Sequence, residues 1–444
     1  MKTKNITAIL FSSISTTMSI TLNVKNNDDS PLPLSQLKKW IPSNKIYKWI
    51  QEGDEKQALL EKELEENSGY NVSNLFDNGD DSDDDNNNYS TTSKDGQRGK
   101  KTGRVQEWSS SLQCVDGVGG YQKRQDKQDH HQEELQNEKN IHDKNNKNIN
   151  NNDTILFDPV NIVFILSESY KGFGDTLWSS ARHVANVLAN PIKCRDILSP
   201  LLVLQQENLT TNGNDNNSKD FISPLFGQSF LELGAGAGVP SWTAMHCGAR
   251  VVCTDLCDTN RIRSIGECAE RNYQLMTKKY QEELEKNHDE NSFVVGLLKH
   301  ASMSRVCPHD WGTPVDDVLL ALNHYNIEID QAETSDNIKD EDTNINNKRF
   351  DIIIAADCCY MPWLHEDLLN SIYTLLSDIG VALIAFALHG NTDDEDVWKI
   401  VDRAKDRGFI VEVLQSQQLS PPNAGMELKQ GLVHTLRLTK PKNE

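Results

Sequence analysis

The hydrophobic pattern changes character twice in the first third of the chain. Apolar residues cluster around Pro42 and then recur on one side of a charged stretch, so residues 34–66 predict a short helical segment. From residue 67 to 152 the chain is polar and low-complexity, and ten of the twelve residues from Asp77 to Asn88 are Asp or Asn. Such a stretch buries too little apolar surface to offset chain entropy, so we expect 67–152 to be disordered.

Strand-like and helix-like segments alternate through residues 153–444, which we interpret as one domain. The predicted strands are Ser229–Leu233, Arg250–Thr254, Phe293–Leu298, Phe350–Ala356, Val381–Leu388, Phe409–Gln415 and Leu432–Leu438. Helices are predicted over Asp258–Leu275, Leu364–Leu376 and Asp393–Arg407, and another is predicted to begin at Pro240. This alternation indicates an α/β fold with a doubly wound, Rossmann-like, mostly parallel sheet.

Two further features complete the predicted fold. No helix is evident between the last two strands, so we expect the final strand to run antiparallel. Polar inserts at Gln205–Lys219 and Asp330–Lys348 interrupt the periodic segments and predict surface loops.

Composition and charge restrict the possible partners. The chain of 444 residues has 45 basic and 66 acidic side chains, a net charge of −21. We therefore expect a basic protein partner rather than nucleic acid or an anionic membrane. The sequence contains no run of about 20 apolar residues, so no membrane-spanning helix is expected. The nine cysteines form no CxxC pair, so we expect free thiols and no metal site.

The start of the chain bears on its location. Residues 1–27 contain no acid and include a stretch rich in Ser and Thr, so residues 1–33 are either a weak targeting-like segment or a disordered start. We expect a cytoplasmic or nuclear monomer, with organelle targeting left open.

The candidate ligand site is a glycine turn between a strand and a helix. Gly234, Gly236 and Gly238 follow Phe230–Leu233 at a spacing of two, and Asp255 lies 21 residues after Gly234. Glycines let the backbone approach a ligand closely, and an acid at the end of the next strand can accept hydrogen bonds from ribose hydroxyls. The GxGxG spacing favours S-adenosylmethionine; a dinucleotide and a degenerate site are the alternatives.

Residues 229–260 and 350–360 resemble the class I, seven-β-strand methyltransferases. More narrowly, they are similar to the eukaryotic protein-lysine and nicotinamide-N-methyltransferase-like group. The resemblance implies a sheet of seven strands and S-adenosylmethionine as the cofactor. It also implies that the cofactor is bound by Trp178, Glu232, Gly234, Gly236, Gly238, Asp255, Asp310, Trp311 and Ala356.

The resemblance also suggests where the acceptor binds. Asp357-Cys358-Cys359-Tyr360 matches the acid-x-x-aromatic motif of this group, so Asp357 and Tyr360 are the candidate catalytic residues. Asp357 can orient an incoming ammonium, and the Tyr360 ring can lie against the cationic side chain. We expect Trp363 to line the same channel, His365 to be exposed, and His389 to lie near the pocket.

The resulting expectation is an N-methyltransferase acting on a lysine side chain or an N-terminal amine of a protein. Two alternatives remain open at this point: a small-molecule enzyme acting on a nicotinamide-like amine, and a non-catalytic binding protein that retains the fold.

Overall fold

The computed structural model describes residues 31–68, 104–110, 160–166, 176–202, 223–286, 292–323, 348–388, 393–419 and 428–441. Nearly all of the predicted N-terminal start and of the two polar inserts lies outside these ranges. No helix within them is both long enough and apolar enough to cross a membrane.

The described strands fall into two sheets. In chain order they are β1 (Arg104–Ser109), β2 (Asn161–Leu166), β3 (Ser229–Leu233), β4 (Arg250–Asp255), β5 (Arg305–Pro308), β6 (Phe350–Ala356), β7 (Leu376–Ala387), β8 (Ile410–Val413), β9 (Gln417–Gln418) and β10 (Leu432–Thr439). The helices are α1 (Leu34–Leu37), α2 (Asn44–Ser68), α3 (Ser179–Ala189), α4 (Pro191–Ile197), α5 (Val239–His246), α6 (Thr259–Lys286), α7 (Ser292–Ser302), α8 (His365–Leu375), α9 (Asp394–Trp398) and α10 (Ile400–Asp406).

The large sheet confirms the predicted doubly wound topology. Its strand order is β5-β4-β3-β6-β7-β10-β8, and the short β9 pairs with β10 beside β8. The pairs β3/β4, β3/β6, β4/β5 and β6/β7 are parallel, whereas β10 is antiparallel to both β7 and β8, as the missing crossover helix predicted. All five residues of β3 are buried, which is typical of a central parallel strand with both faces covered.

One predicted strand is wrong. Phe293–Leu298 lies inside helix α7, and the strand that follows β4 in the chain is instead the short β5. Val294, Leu297 and Ala301 are the buried residues of this segment, and their spacing of three and four is that of a helix face. A short apolar run does not by itself separate a strand from a helix.

The disorder predicted for 67–152 is wrong at β1. This strand pairs antiparallel with β2, which was not predicted either, and Trp108, Ile162 and Phe164 become buried. The Asn272 side chain of α6 bonds both backbone groups of Val163 in β2, accepting from N at 3.0 Å and donating to O at 2.6 Å. Local composition cannot reveal a strand whose partner lies more than 50 residues further along.

The segment predicted to be helical at 34–66 forms α1 and α2. Trp40 is buried against α6, where its indole N–H donates to the Glu270 carboxylate at 2.7 Å. The Lys39 ammonium reaches the same carboxylate oxygen at 2.7 Å. Arg263 of α6 bonds the Asp54 carboxylate at 3.2 Å and the Leu32 carbonyl at 2.8 Å. These bonds fasten the N-terminal helices to the helix that follows β4.

Candidate active site

The glycine turn leaves β3 and enters α5 in a conformation that favours glycine. Gly234, Gly236 and Gly238 have φ values of 65°, 55° and 68°. A side chain on Gly234 would meet the Trp311 ring at 2.8 Å and the Cys358 sulfur at 2.9 Å. A Cβ on Gly236 would meet nothing within 4 Å. The space above Gly236 is therefore open to a ligand that approaches the backbone.

Asp255 holds this turn from the end of β4. It is buried, with Oδ2 accepting from Gly236 N at 2.6 Å and Oδ1 accepting from Leu256 N at 2.8 Å and Arg261 Nη1 at 3.2 Å. Each carboxylate oxygen can accept more than one hydrogen bond, so a ribose hydroxyl would share Asp255 with these donors. Sequence reasoning predicted the ribose role and missed the bond to the glycine turn.

Glu232 contacts the helix into which the glycine turn leads. Its side chain is 1% exposed, and Oε2 accepts from Ser241 N in the first turn of α5 at 2.9 Å. Burial raises the pKa of Glu232 to about 8. In these contacts Glu232 acts through α5, and its predicted contact with the cofactor stays a prediction.

The turn after β5 borders the same space. His309 N donates to the Asp255 carbonyl at 2.8 Å, and the Asp310 carboxylate accepts from Cys257 N at 2.9 Å. The Trp311 ring then lies against Gly234, as the glycine geometry above shows. Trp311 is therefore next to the glycine turn and Asp310 next to the residues after β4, and their contact with the cofactor stays a prediction.

The predicted acceptor motif forms a strained turn at the end of β6. Asp357 has φ 62°, and no other non-glycine residue in the described ranges has a positive φ. It is buried, its N–H donates to Ala385 O of β7 at 2.7 Å, and the Cys358 thiol donates to Leu233 O at 3.3 Å. Strained backbone of this kind concentrates at functional sites. Residues 357–360 are called the acceptor turn below. The Cys358 bond brings this turn to the end of β3, where the glycine turn begins.

Electrostatic interactions join Tyr360 to both halves of the site. Burial is the largest cause that raises the pKa of Tyr360; the nearby Asp255 and Asp357 carboxylates raise it further, and Arg261 lowers it. Tyr360 is therefore close enough to Asp255 and to Asp357 for both carboxylates to affect its pKa.

Three further residues were predicted to lie near the acceptor or to be exposed. Trp363 is 73% exposed on the 3₁₀ turn Pro362–Leu364. His365 was expected to be exposed, but it is fully buried, and its Nε2 lies 2.8 Å from Cys359 O. His389 lies outside the described residues. Exposure at the start of a helix depends on what packs there, which residue type does not reveal.

The predicted cofactor contacts of Trp178 and Ala356 stay predictions, as do those of the other cofactor residues. Trp178 is half-buried immediately before α3, and its carbonyl accepts from Arg182 N at 3.2 Å. Ala356 is half-buried at the end of β6, opposite Ala385 of β7.

The cysteines of the site are packing groups. Burial raises the pKa of the Cys358 and Cys359 thiols, which disfavours the thiolate that a nucleophile requires. Within the described ranges, no group of three or more His, Cys, Asp or Glu side chains is placed to hold a metal ion.

Comparison with known proteins supplies one curated relative. The chain is 28% identical over 204 residues to the protein N-terminal and lysine N-methyltransferase EFM7 of Gibberella zeae. The match covers 45% of this chain and 64% of that protein, so the chain spans a little under two thirds of the relative's length. No family model matches the chain.

Solved structures similar to the chain include two methyltransferases. A TehB-like SAM-dependent methyltransferase from Corynebacterium glutamicum is 19% identical with a TM-score of 0.27, covering 54% of this chain and 96% of that one. Magnesium protoporphyrin IX methyltransferase from Synechocystis PCC 6803, with bound SAH, is 12% identical with a TM-score of 0.27, covering 56% and 85%. The name of the Gibberella zeae relative agrees with the resemblance carried by the glycine turn, and the fold itself rests on the strand order above.

Proposed function

We propose that the chain is an S-adenosylmethionine-dependent N-methyltransferase whose acceptor is a lysine side chain or an N-terminal amine of a protein. The observation that carries the proposal is the junction of the two turns. The Cys358 thiol bonds Leu233 O at 3.3 Å, so the turn that holds Asp357 and Tyr360 meets the glycine turn that Asp255 holds. The name of the Gibberella zeae relative supports the same acceptor class.

The residues on the cofactor side fit S-adenosylmethionine. Gly236 leaves open space above the backbone, Asp255 presents a buried carboxylate for ribose hydroxyls, and Trp311 offers a ring beside the turn. When bound, this cofactor supplies an already activated methyl group, so alignment of the acceptor is the main requirement.

The acceptor-side residues suit a cationic amine. The Asp357 carboxylate can accept a hydrogen bond from the ammonium and fix its direction, and the face of the Tyr360 ring can attract its charge. The amine must release a proton before it attacks, and we assign no residue as a general base. Asp357 is therefore an orienting group in direct contact with the substrate.

Among the residues that the structure describes, the exposure of the rings beside Asp357 favours a protein acceptor over a small molecule. Tyr360 is only half-buried, and Trp363, three residues further along, is 73% exposed. A nicotinamide-like amine would call for an enclosing wall on this side. Nicotinamide is consequently the informative control acceptor rather than the leading candidate.

The test begins with calorimetric titration of the purified full chain with S-adenosylmethionine and S-adenosylhomocysteine. We expect micromolar binding, followed by transfer of labelled methyl to protein in a cell extract but not to nicotinamide. Asp357→Asn would serve as a binding-competent, transfer-deficient control. A folded chain that binds neither compound would contradict the enzyme assignment, and transfer to nicotinamide alone would contradict the protein acceptor.

A further inference from the structure

Helix α8 makes buried hydrogen bonds to both halves of the site. Its first residue, His365, is fully buried, and its Nε2 lies 2.8 Å from Cys359 O. A carbonyl oxygen can only accept, so Nε2 carries the proton of this bond. Cys359 lies between Asp357 and Tyr360 in the chain, so the bond fixes the middle of the acceptor turn to the start of α8.

A second residue of α8 bonds the turn beside the cofactor space. Ser371 is 2% exposed, and its hydroxyl oxygen accepts from Gly312 N at 3.0 Å. The same oxygen lies 3.0 Å from His309 Nε2. These two partners flank Asp310 and Trp311, so one hydroxyl holds both ends of the segment that carries them.

Helix α8 packs closely against the turn that follows β5. Gly312 has φ 77°, and a Cβ there would lie 2.6 Å from the Asp367 Oδ1 atom of α8. His309 also donates its backbone N–H to the Asp255 carbonyl at 2.8 Å. A shift of α8 would therefore be transmitted to the Trp311 ring and to the end of β4.

We propose that α8 is the common support that sets the acceptor turn against the cofactor turn, with His365 and Ser371 as its two positioning residues. The inference rests on the proposed function and deepens it. His365 acts through Cys359 on the acceptor, and Ser371 acts through Gly312 and His309 on the cofactor. Neither needs to touch a substrate, since each bonds the turn that does.

Removing either hydrogen bond by substitution should have a measurable effect. Ser371 and His309 are buried and the bond to Gly312 N is partly buried, so removing the hydroxyl takes an acceptor from the Gly312 N–H and a partner from His309. Burial lowers the pKa of His365, which keeps the ring neutral at pH 7 and leaves the Nε2 proton for Cys359 O. Replacement of His365 by Gln keeps an N–H donor near the Nε2 position, whereas Leu removes it.

The kinetic test compares two pairs of variants of the full chain. We expect Ser371→Ala to raise KM for S-adenosylmethionine and Kd for S-adenosylhomocysteine about tenfold, with kcat within about twofold. We expect His365→Leu to lower kcat about tenfold with unchanged Kd, and His365→Gln to recover most of the loss. Ser264→Ala on α6 is the matched control, because that buried helical hydroxyl donates to Asn260 O within its own helix.

A second readout requires no cofactor. Hydrogen exchange of the ligand-free protein should accelerate in residues 309–313 for Ser371→Ala and in residues 357–361 for His365→Leu, each without the other. A purely structural role would instead speed exchange in both segments and lower kcat and cofactor affinity together, and that result would overturn the inference. If His365→Leu does not fold, Ser371→Ala still decides through its KM for S-adenosylmethionine and its exchange in residues 309–313.

The outcomes also separate the two proposals. A wild-type chain that binds no S-adenosylhomocysteine contradicts the proposed function and, with it, the assigned roles. If the wild-type chain binds S-adenosylhomocysteine, and Ser371→Ala has the same affinity and the same exchange rates as the wild type, only the role of α8 is contradicted.

Discussion

The two turns of the site reach similar geometry by different means. On the cofactor side three glycines take the left-handed conformation, and Asp255, one strand away, bonds the middle of the turn at 2.6 Å. On the acceptor side Asp357 takes φ 62° with a side chain, and the turn is fastened by Ala385 of β7 and His365 of α8. The first turn therefore relies on glycine conformations and one carboxylate of the next strand, whereas the second holds a non-glycine residue in the left-handed region through contacts from β7 and α8.

This difference separates binding from turnover. Glycine in a left-handed turn pays little strain, so the cofactor turn is suited to hold one shape with or without ligand. Asp357 keeps an unfavourable backbone angle only because its neighbours enforce it. Substitutions on the first turn should mainly change cofactor affinity, and substitutions on the second should mainly change the rate of transfer.

The largest expected effect follows from the charge of Asp357. Asp357→Asn keeps a side chain that tolerates the left-handed angle but loses the negative charge, so turnover should fall about a hundredfold or more. Asp357→Gly relieves the angle and removes the carboxylate, so it should be equally inactive with undiminished stability. Initial rates with labelled methyl donor, beside titration with S-adenosylhomocysteine, check both; retained turnover in either variant would remove Asp357 from the site.

A smaller effect, on binding, is expected at Asp255. Asp255→Ala removes the acceptor of Gly236 N and the predicted ribose contacts, so S-adenosylmethionine affinity should fall about 10- to 100-fold. Asp351→Ala is the control at the opposite end of the parallel strands, because its carboxylate accepts from Ser229 N at 2.9 Å and Ser229 Oγ at 2.7 Å. Calorimetry should find normal affinity in the control, and equal losses in both would attribute the effect to general destabilisation.

Gly236 tests the open space itself. Gly236→Ala should cost roughly 1–2 kcal/mol of stability from the left-handed backbone and weaken cofactor binding about tenfold, since the methyl enters the ligand space. Gly408→Ala offers a matched pair, because Gly408 has φ 97° and a Cβ there would also meet nothing within 4 Å. Thermal unfolding should show similar losses in both variants. Only Gly236→Ala should lose affinity; unimpaired binding would mean that this space is not used.

The buried carboxyl of Glu232 should make the stability of the fold depend on pH. Its pKa is about 8 in the folded chain against an ordinary value of 4.5, so the folded state holds one more proton between these values. Stability is thus lost as pH rises from 4.5 to 8, by about 1 kcal/mol per pH unit. Denaturant unfolding of the wild type should show this slope, and Glu232→Gln should lack it. Glu52→Gln, on the exposed face of α2, should leave the slope unchanged.

Sequence reasoning succeeded where a short motif carries its own geometry. The alternation of segments indicated the doubly wound sheet, and the glycines predicted the turn between β3 and α5, whose contact with the cofactor stays a prediction. It failed at Phe293–Leu298, where an apolar run fits both a strand and a helix, and at β1, whose partner strand is remote. The burial of His365 was also out of reach, because it depends on what packs against the helix start.

The role of Ser371 shows the same limit in another form. Its partners Gly312 and His309 lie 59 and 62 residues earlier in the chain. A serine in the middle of an amphipathic helix has no local feature that distinguishes it from an ordinary buried hydroxyl. Only the approach of α8 to the turn after β5 gives that hydroxyl its partners, and such approaches are tertiary.

The position of β10 has a consequence for how the protein is made. β10 lies between β7 and β8 although it follows both in the chain, and β8 pairs with no other described strand. While the polypeptide emerges from the ribosome, β7 must wait with one edge open, and β8 has no place to dock, until β10 is released. An open strand edge invites pairing with other chains. The nascent protein should therefore be most prone to aggregate, and most in need of chaperones, just before β10 is inserted.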